Sequence, residues 1–381
     1  MKYRKFGSLD WKPSALGFGA MRLPILDNDS SKINEPLSIE MIRYAIDHGV
    51  NYVDTAYGYH GGNSERLVGK ALKDGYRERV KLATKMPTWL ITSKDDMDRY
   101  LDEQLGKLQT DRIDFYLLHG LRKERWPNLV KLKVTEWAEK AIDEGKIGHI
   151  GFSFHDDLSL FKEIIDHYDG WTFCQIQYNY MDTDYQAGTE GLRYAASKGL
   201  AVVVMEPIQG GRLAIPPLPE IQAIWDEASV SRTPAEWALQ WVWNQPEVSI
   251  VLSGMSEMQH VVENVESAGR SGVGTLTQEE LETIDRVKAK YRELGFIGCT
   301  GCRYCMPCPQ GVAIPEIFSL YNAYYAGGQE EAFKEMYLDQ ITPEMGARNC
   351  VACGQCLELC PQNLPIPNLM RNAIRTFERD R

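Results

Sequence analysis

Short runs of β-branched and aromatic residues alternate along most of the chain with longer segments whose apolar residues recur every three or four positions. The first kind predicts strands, the second amphipathic helices. The strand candidates are ALGFGAM, VNYVDTA, VKLATK, RIDFYLLHG, IGHIGFSF, TFCQIQYN, LAVVVMEP and VSIVLSG, and a hairpin, MKYRKFGSLDWKPS, precedes them. Between them LSIEMIRYAIDHG, SERLVGKALKDG, DMDRYLDEQLGKLQ, WAEKAIDEGK and GLRYAASKG read as helices, often closed by glycine. Eight such pairs over about 250 residues is the length of a (β/α)8 TIM barrel. A doubly wound sheet also fits the alternation, but no strand is followed by a GxGxxG turn.

In a barrel the C-terminal strand ends share one mouth, where barrel enzymes keep their sites. Asp54, Lys85, His119, Ser153, Gln177 and Asn179 all fall at such ends. Singly, each has a structural explanation: a surface lysine, a satisfied core histidine, a turn cap. Jointly they point to a site. The densest stretch is DTAYGYHGGNSERLVGKAL, where Asp54 closes a strand, Tyr59 follows on a loop, and Ser64 is placed to cap a helix. A phenol with its usual pKa near 10 becomes an acid catalyst at neutral pH only beside a cation.

At 381 residues the chain exceeds one average domain, which predicts one large domain and one small one. Its net charge of −11 argues against a nucleic-acid backbone or an anionic membrane as main partner. No apolar run reaches the ~18 residues of a membrane span, and the N-terminus lacks the apolar core of a signal peptide, so a cytoplasmic location is expected.

Cysteine usage divides the chain near residue 298. Cys174 stands alone in a strand candidate, as a core residue, while the other eight of nine cysteines come later. Eight clustered thiols in a non-secreted chain favour metal over disulfides. Cys299, Cys302, Cys305 and Cys308 are spaced CxxCxxCxxCP; Cys350, Cys353, Cys356 and Cys360 are spaced CxxCxxCxxxCP, the bacterial ferredoxin run with its proline. By analogy with that run, Cys299, Cys302, Cys305 and Cys360 would hold one [4Fe-4S] cluster and Cys308, Cys350, Cys353 and Cys356 a second. The first run is one residue short between its third and fourth cysteines. Zinc is the alternative, though zinc ribbons rarely string three cysteines at two-residue gaps. Between the runs, FSLYNAYYAGGQEEAFKEMYL reads as helices packed around the metal.

DTAxxY at Asp54 to Tyr59, the Ser64-Glu65 pair before GKAL, ATK ending at Lys85 and LLH ending at His119 resemble the aldo-keto reductase pattern. With GFGAMRLP, GFSF, QIQYN and the ENV of the last barrel segment, the resemblance covers roughly residues 1 to 270. It implies a tetrad in which Tyr59 donates a proton to a carbonyl, Lys85 lowers the phenol's pKa, Asp54 holds the lysine and His119 orients the carbonyl oxygen. Tyr57, two residues from Tyr59, is the rival donor, and the motif spacing gives it a packing or substrate-lining role. The resemblance also implies NADP or NAD bound without a Rossmann fold. Ser153 and Gln177 would hold the carboxamide, Met205 would stack on the ring, and Gly19, Met21, Asp54 and Gly254 would line the seat. The loop SGMSEMQHVVENV would grip the adenosine end through Gln259, His260, Glu263 and Asn264. Phe154 stands where many relatives have asparagine, Met205 replaces a stacking tyrosine, and Gln259 and His260 replace arginine, which leaves NADP and NAD both open.

The expected organisation is therefore a barrel over 1–270, a helical connector over 271–298 containing TQEELETIDRVKAKYRELG, and a mainly helical ferredoxin-like domain over 299–381. The expected function is carbonyl reduction by NAD(P)H in a chain that also holds two [4Fe-4S] clusters, with a small-molecule carbonyl or alcohol as substrate and a redox protein as possible partner. Flavin would convert hydride to single electrons, but no flavin motif is present. The alternatives are a redox-sensing regulatory protein, as in the potassium-channel β subunits of this family, or an electron carrier that uses the barrel as scaffold. Substrate choice would lie in PTWLITSKDD, GLRKERWPN and QGGRLAIPPLPE, with Trp89 and Trp126 as pocket walls or packing.

Overall fold

The computed structural model describes residues 1–27, 29–326 and 330–379. Eight strands close into a parallel barrel: β1 (Leu16–Gly19), β2 (Tyr52–Asp54), β3 (Lys81–Met86), β4 (Ile113–Leu121), β5 (Ile147–Phe154), β6 (Phe173–Gln177), β7 (Ala201–Met205) and β8 (Val248–Gly254). Each pairs with its neighbour in sequence, and β1 closes on β8 with Gly19 beside Gly254. All eight expected strands are present, with most ends shifted by one to a few residues.

Side chains alternate across a strand, so one parity fills the barrel. Tyr52, Ala83, Phe115, Leu117, Phe173, Ala201, Val203, Ile250 and Leu252 form that buried core together with Phe6 from the N-terminus. Phe6 lies 4.8 Å from Phe115, and Trp11 packs 5.4 Å from the same ring, so the expected N-terminal hairpin plugs the end where strands begin. A Cβ on Gly151 would sit 2.6 Å from the Phe173 ring, which occupies the missing side chain's space. Continuing the same parity along each strand leads from this core to Asp54, Lys85, His119, Ser153, Gln177, Met205 and Gly254.

Helices α1 (Glu35–Asp47), α2 (Ser64–Ala71) and α3 (Lys94–Leu108) follow β1, β2 and β3. Ser93 and Asp96 cap α3 reciprocally. At α2 the structure corrects the sequence expectation: Asn63, not Ser64, holds the cap position, without a side-chain bond. Ser64 is instead fully buried, its Oγ donating to Ala20 O at 2.9 Å and lying 2.8 Å from Thr55 Oγ1. A hydroxyl enclosed between two strand ends has its hydrogen bonds satisfied there and is withdrawn from capping. A second element that the pattern did not predict is the small antiparallel pair Ile25–Leu26 and Asp29–Ile33 after β1. Its DSSK sequence is polar and carries no strand periodicity.

The chain forms two compact units, one of Met1–Pro207 with Ala238–Leu276 and one of Ile208–Trp237 with Thr277 onward. In the second, the predicted connector is the helix Gln278–Glu293, capped by the Thr277/Glu280 box. Helices Ile314–Ala326, Glu330–Gln340 and Ile366–Phe377 surround a core of Ile317, Phe318, Tyr337, Ile341, Met370 and Phe377, with Cys360 buried among them. The first two fall in the stretch read as helical between the cysteine runs; its GGQ, 327–329, lies outside the described residues. Among the described residues no helix is long and apolar enough to cross a membrane.

Candidate active site

Asp54, Lys85 and His119 are brought to one rim by the ends of β2, β3 and β4. The pairing of β4 with β5 shifts register between Leu118 and Leu121, and Gly120 takes a φ of 61°, so an irregularity aims His119 at the mouth. Lys85 Nζ lies 2.5 Å from Asp54 Oδ1 and 2.8 Å from Thr55 O. It also lies 3.5 Å from the Tyr59 hydroxyl. The His119 ring stands edge-on to Tyr59 at 5.9 Å, with Trp89 at 5.2 Å on another side. These four side chains, distant in sequence, meet.

Both members of the Lys85–Asp54 pair are buried, at 1% and 3% exposure. Burial pushes the lysine pKa down and the aspartate pKa up, and each partner's charge opposes the other's shift. His119 is held well below its ordinary 6.5, first by burial and then by the Lys85 and Arg125 charges. A neutral imidazole results. Tyr57 points elsewhere: its hydroxyl reaches Glu103 at 3.2 Å, and Lys107 Nζ sits 3.8 Å from its ring centroid.

Behind β3 lies a buried network that the sequence did not show. Glu65 Oε1 accepts from Thr84 Oγ1 and Gln104 Nε2, both at 2.6 Å. Gln104 also donates to the Lys85 carbonyl at 3.0 Å and accepts from Tyr116 at 2.6 Å. Glu65 was legible as half of a motif. Gln104 gave no signal, being one polar residue on an amphipathic helix.

The remaining predicted residues are distributed around the same rim. Ser153 is buried, and its Oγ accepts the Gly120 N–H at 2.7 Å, so its own proton can serve another acceptor. Gln177 Nε2 donates to Asp182 Oδ2 at 2.9 Å, and Asn179 donates to the same oxygen at 3.0 Å. Asp182, in the loop after QIQYN, was missed by sequence reading. Met205 ends β7 beside Gln177. Gly19 and Gly254 are cross-strand neighbours; a Cβ on Gly254 would come within 3.1 Å of the Arg22 side chain, and one on Gly19 within 3.3 Å of Ser253 O. Met21 follows β1, and Arg22, which sequence reading passed over, lies 4.0 Å from Glu206. On helix Met258–Gly269, Asn264 is buried and donates to Ser253 Oγ at 3.1 Å, whereas Gln259 pairs with Glu263 at 2.8 Å on the exposed face. His260 is exposed there too. Trp89 is half-exposed by the site, while Trp126 is buried against His167 and Trp171 and serves packing. Cys174 is a buried strand residue.

In the second unit none of the cysteines is in a disulfide. Cys299, Cys302, Cys305 and Cys360 line one cavity, with Ile314, Phe318 and Ile366. Cys308, Cys350, Cys353 and Cys356 line another, which Cys305 also borders. Burial pushes the Cys305 thiol up to about 12, with Cys302, Cys299 and Cys360 adding to the shift. Cys356 is raised likewise by burial and then by Cys350, Cys353 and Cys308. Thiols that oppose each other's ionisation in this way suit a cationic centre that draws off their protons. Among the described residues no three His, Cys, Asp or Glu side chains converge as a single-ion site; each set surrounds a volume.

A closed parallel (β/α)8 barrel with its polar cluster at the C-terminal strand ends, followed by two cysteine-lined cavities, defines an oxidoreductase scaffold joined to an iron-sulfur domain. The chain belongs to the aldo/keto reductase family: the family model matches residues 15–289, and the model of a 4Fe-4S dicluster domain matches 298–364. It is 26% identical to an L-galactose dehydrogenase of Arabidopsis thaliana over 77% of this chain and 96% of that protein. It is 28% identical to the uncharacterized oxidoreductase YqkF of Bacillus subtilis over 74% and 95%. Among solved structures it is similar to the holo form of an aldo-keto reductase from Bacillus halodurans, with TM-score 0.63, 29% identity, and coverage of 75% of this chain and 96% of that one. An aldo/keto reductase from Klebsiella pneumoniae in complex with NADP and acetate gives TM-score 0.62 at 28% identity, over 75% and 95%.

Proposed function

We propose that the protein is an NAD(P)H-dependent carbonyl reductase in which Tyr59 is the proton donor. The observation that carries this reading is the position of Lys85 Nζ, 2.5 Å from Asp54 and 3.5 Å from the Tyr59 hydroxyl. Bound at the rim, the nicotinamide would supply hydride to the carbonyl carbon. Negative charge then grows on the carbonyl oxygen, where the Tyr59 O–H and the neutral His119 N–H would stabilise it more than they stabilise the substrate. The Lys85 ammonium favours the phenolate left when the proton has moved, and Asp54 holds that ammonium charged and in place. Tyr57 also has an ammonium close by, Lys107 over its ring, but its hydroxyl is turned to the Glu103 carboxylate, and burial followed by that charge raises its pKa.

The paired glycines at the β1 and β8 ends provide the flat backbone a dinucleotide needs, and the Ser153 hydroxyl and Gln177 amide suit a carboxamide. The Klebsiella relative's NADP supports the phosphorylated cofactor, while the absence of Lys or Arg at Gln259 and His260 supports NAD, so both enter the test. Two [4Fe-4S] clusters would be held by Cys299, Cys302, Cys305 and Cys360 and by Cys308, Cys350, Cys353 and Cys356, and would carry single electrons.

Steady-state reduction of a carbonyl panel with NADH and with NADPH tests the barrel. Tyr59→Phe is expected to lower kcat by about 10²- to 10⁴-fold, with Tyr57→Phe near wild type. No turnover with either dinucleotide would sink the reading. Iron and acid-labile sulfide assays test the tail, with about eight irons per chain expected.

A further inference from the structure

Directly after Tyr59 the backbone turns through His60, Gly61 and Gly62, all left-handed, with φ of 54°, 63° and 89°. Glycine adopts this region freely; a side chain there is strained, although histidine tolerates it better than most. Two of the three positions are glycine, and the third keeps an imidazole.

That ring is used at both nitrogens. Nε2 lies 3.2 Å from the Leu23 backbone N, and Nδ1 lies 2.8 Å from Ser30 O. The neutral tautomer with its proton on Nδ1 satisfies both, as acceptor and donor. Burial holds the ring below 6.5, against the opposing pull of the Ser30 and Met21 carbonyls. The contact is reinforced by Asn63 Nδ2, which donates to Ser31 O at 3.0 Å, and by Gly61, where a Cβ would meet Ser31 Cβ at 3.2 Å. The turn that bears Tyr59 is thereby tied to the small strand pair after β1 and to Leu23, two residues past Met21.

We propose that His60 is a positioning residue, locking the Tyr59 turn to the segment after β1 so that seating the dinucleotide and aiming the phenol are coupled. This rests on the reading of Tyr59 as proton donor and of the Gly19–Met21 segment as part of the dinucleotide seat. Without the ring the turn keeps its two glycines and the Asn63–Ser31 bond but loses both of the ring's links, to Leu23 and to Ser30. The hydroxyl is then less well aimed at a carbonyl while the Lys85–Asp54 pair stays intact.

His60→Gly is the informative variant, because glycine removes the backbone strain together with the ring; His60→Asn, which also tolerates a left-handed backbone but is too short to span Leu23 and Ser30, is the second. The readouts are Tm, kcat and KM for one well-reduced carbonyl, and the Kd of NADPH and NADH from protein fluorescence. Both variants are expected to keep Tm, to lower kcat between about tenfold and 10²-fold, and to weaken dinucleotide binding several-fold, with carbonyl KM nearly unchanged. In a Tyr59→Phe background His60→Gly is expected to have little further effect on kcat while still weakening the dinucleotide. Unchanged kcat and Kd in both variants, or a kcat loss that simply multiplies that of Tyr59→Phe, overturns the coupling. Wild-type protein that binds neither dinucleotide and reduces no carbonyl overturns the functional reading itself, and this inference with it.

Discussion

Burial sets the charge states at the barrel rim. Lys85 and Asp54 survive as an enclosed pair because each offsets the other's desolvation, and removing one would leave an uncompensated charge, a loss of about 3–5 kcal/mol in typical cases. At His119 burial acts first and the Lys85 and Arg125 charges add to it, so the ring stays neutral. Its folded pKa is depressed below 6.5, so the unfolded chain takes up a proton at this ring that the folded chain does not. Stability is therefore lost as pH falls from 6.5 towards the folded value. Urea denaturation at pH 7 and pH 5, compared between wild type and His119→Gln, checks this; the variant is expected to lose less on acidification, and equal losses would sink it. The four rim residues were legible in the sequence because strand periodicity and motif spacing place them. Gln104 and the two contacts of His60 were not, since each acts on a residue far along the chain that only the fold brings to it, and Asp182 was not because the turn that folds it back onto Gln177 and Asn179 has no periodicity.

At the scale of elements, the eight strands were readable because strands buried on both faces become continuous runs of Val, Ile, Leu and aromatics. Ser64 misled because a residue type favoured at caps is equally suited to bridging two strand ends in the interior. In the second unit the element that matters is the end of helix Ile366–Phe377. Glu378, buried at 3% exposure, accepts from Ala347 N at 2.8 Å and Arg348 N at 3.0 Å, and from the Tyr337 hydroxyl. A Cβ on Gly346 would come within 2.9 Å of the carboxylate, so glycine permits the approach. Cys350 N in turn bonds to Ala347 O at 3.1 Å. One carboxylate thus fixes the turn that delivers the second cysteine run. Glu378→Ala is expected to lower iron from about eight to about four per chain. Added to Cys353→Ser it should remove little more, and added to Cys302→Ser nearly all the rest. Full iron in the single variant would refute the role.

For the whole molecule the open question is electron number. A nicotinamide yields two electrons together as hydride, whereas a [4Fe-4S] cluster accepts one, so the two chemistries exchange directly only through a group able to hold both. The chain shows no sequence motif for flavin, and in the proposed function the rim residues would serve closed-shell carbonyl chemistry. The two activities are therefore expected to be separable. Under anaerobic conditions NADPH or NADH alone should leave the visible absorption of the oxidised clusters unchanged while still supporting carbonyl turnover, and dithionite should bleach the same absorption. Adding free flavin with NADPH should bring about slow bleaching if only the converter is missing. Prompt bleaching by NADPH alone, retained in Tyr59→Phe, would instead mean that hydride reaches the clusters by a route independent of the carbonyl site. The serine variants bear on the same point: with Cys302→Ser or Cys353→Ser, carbonyl reduction by the barrel is expected to stay close to wild type, because Asp54, Tyr59, Lys85 and His119 all belong to the first compact unit and the cysteine runs to the second.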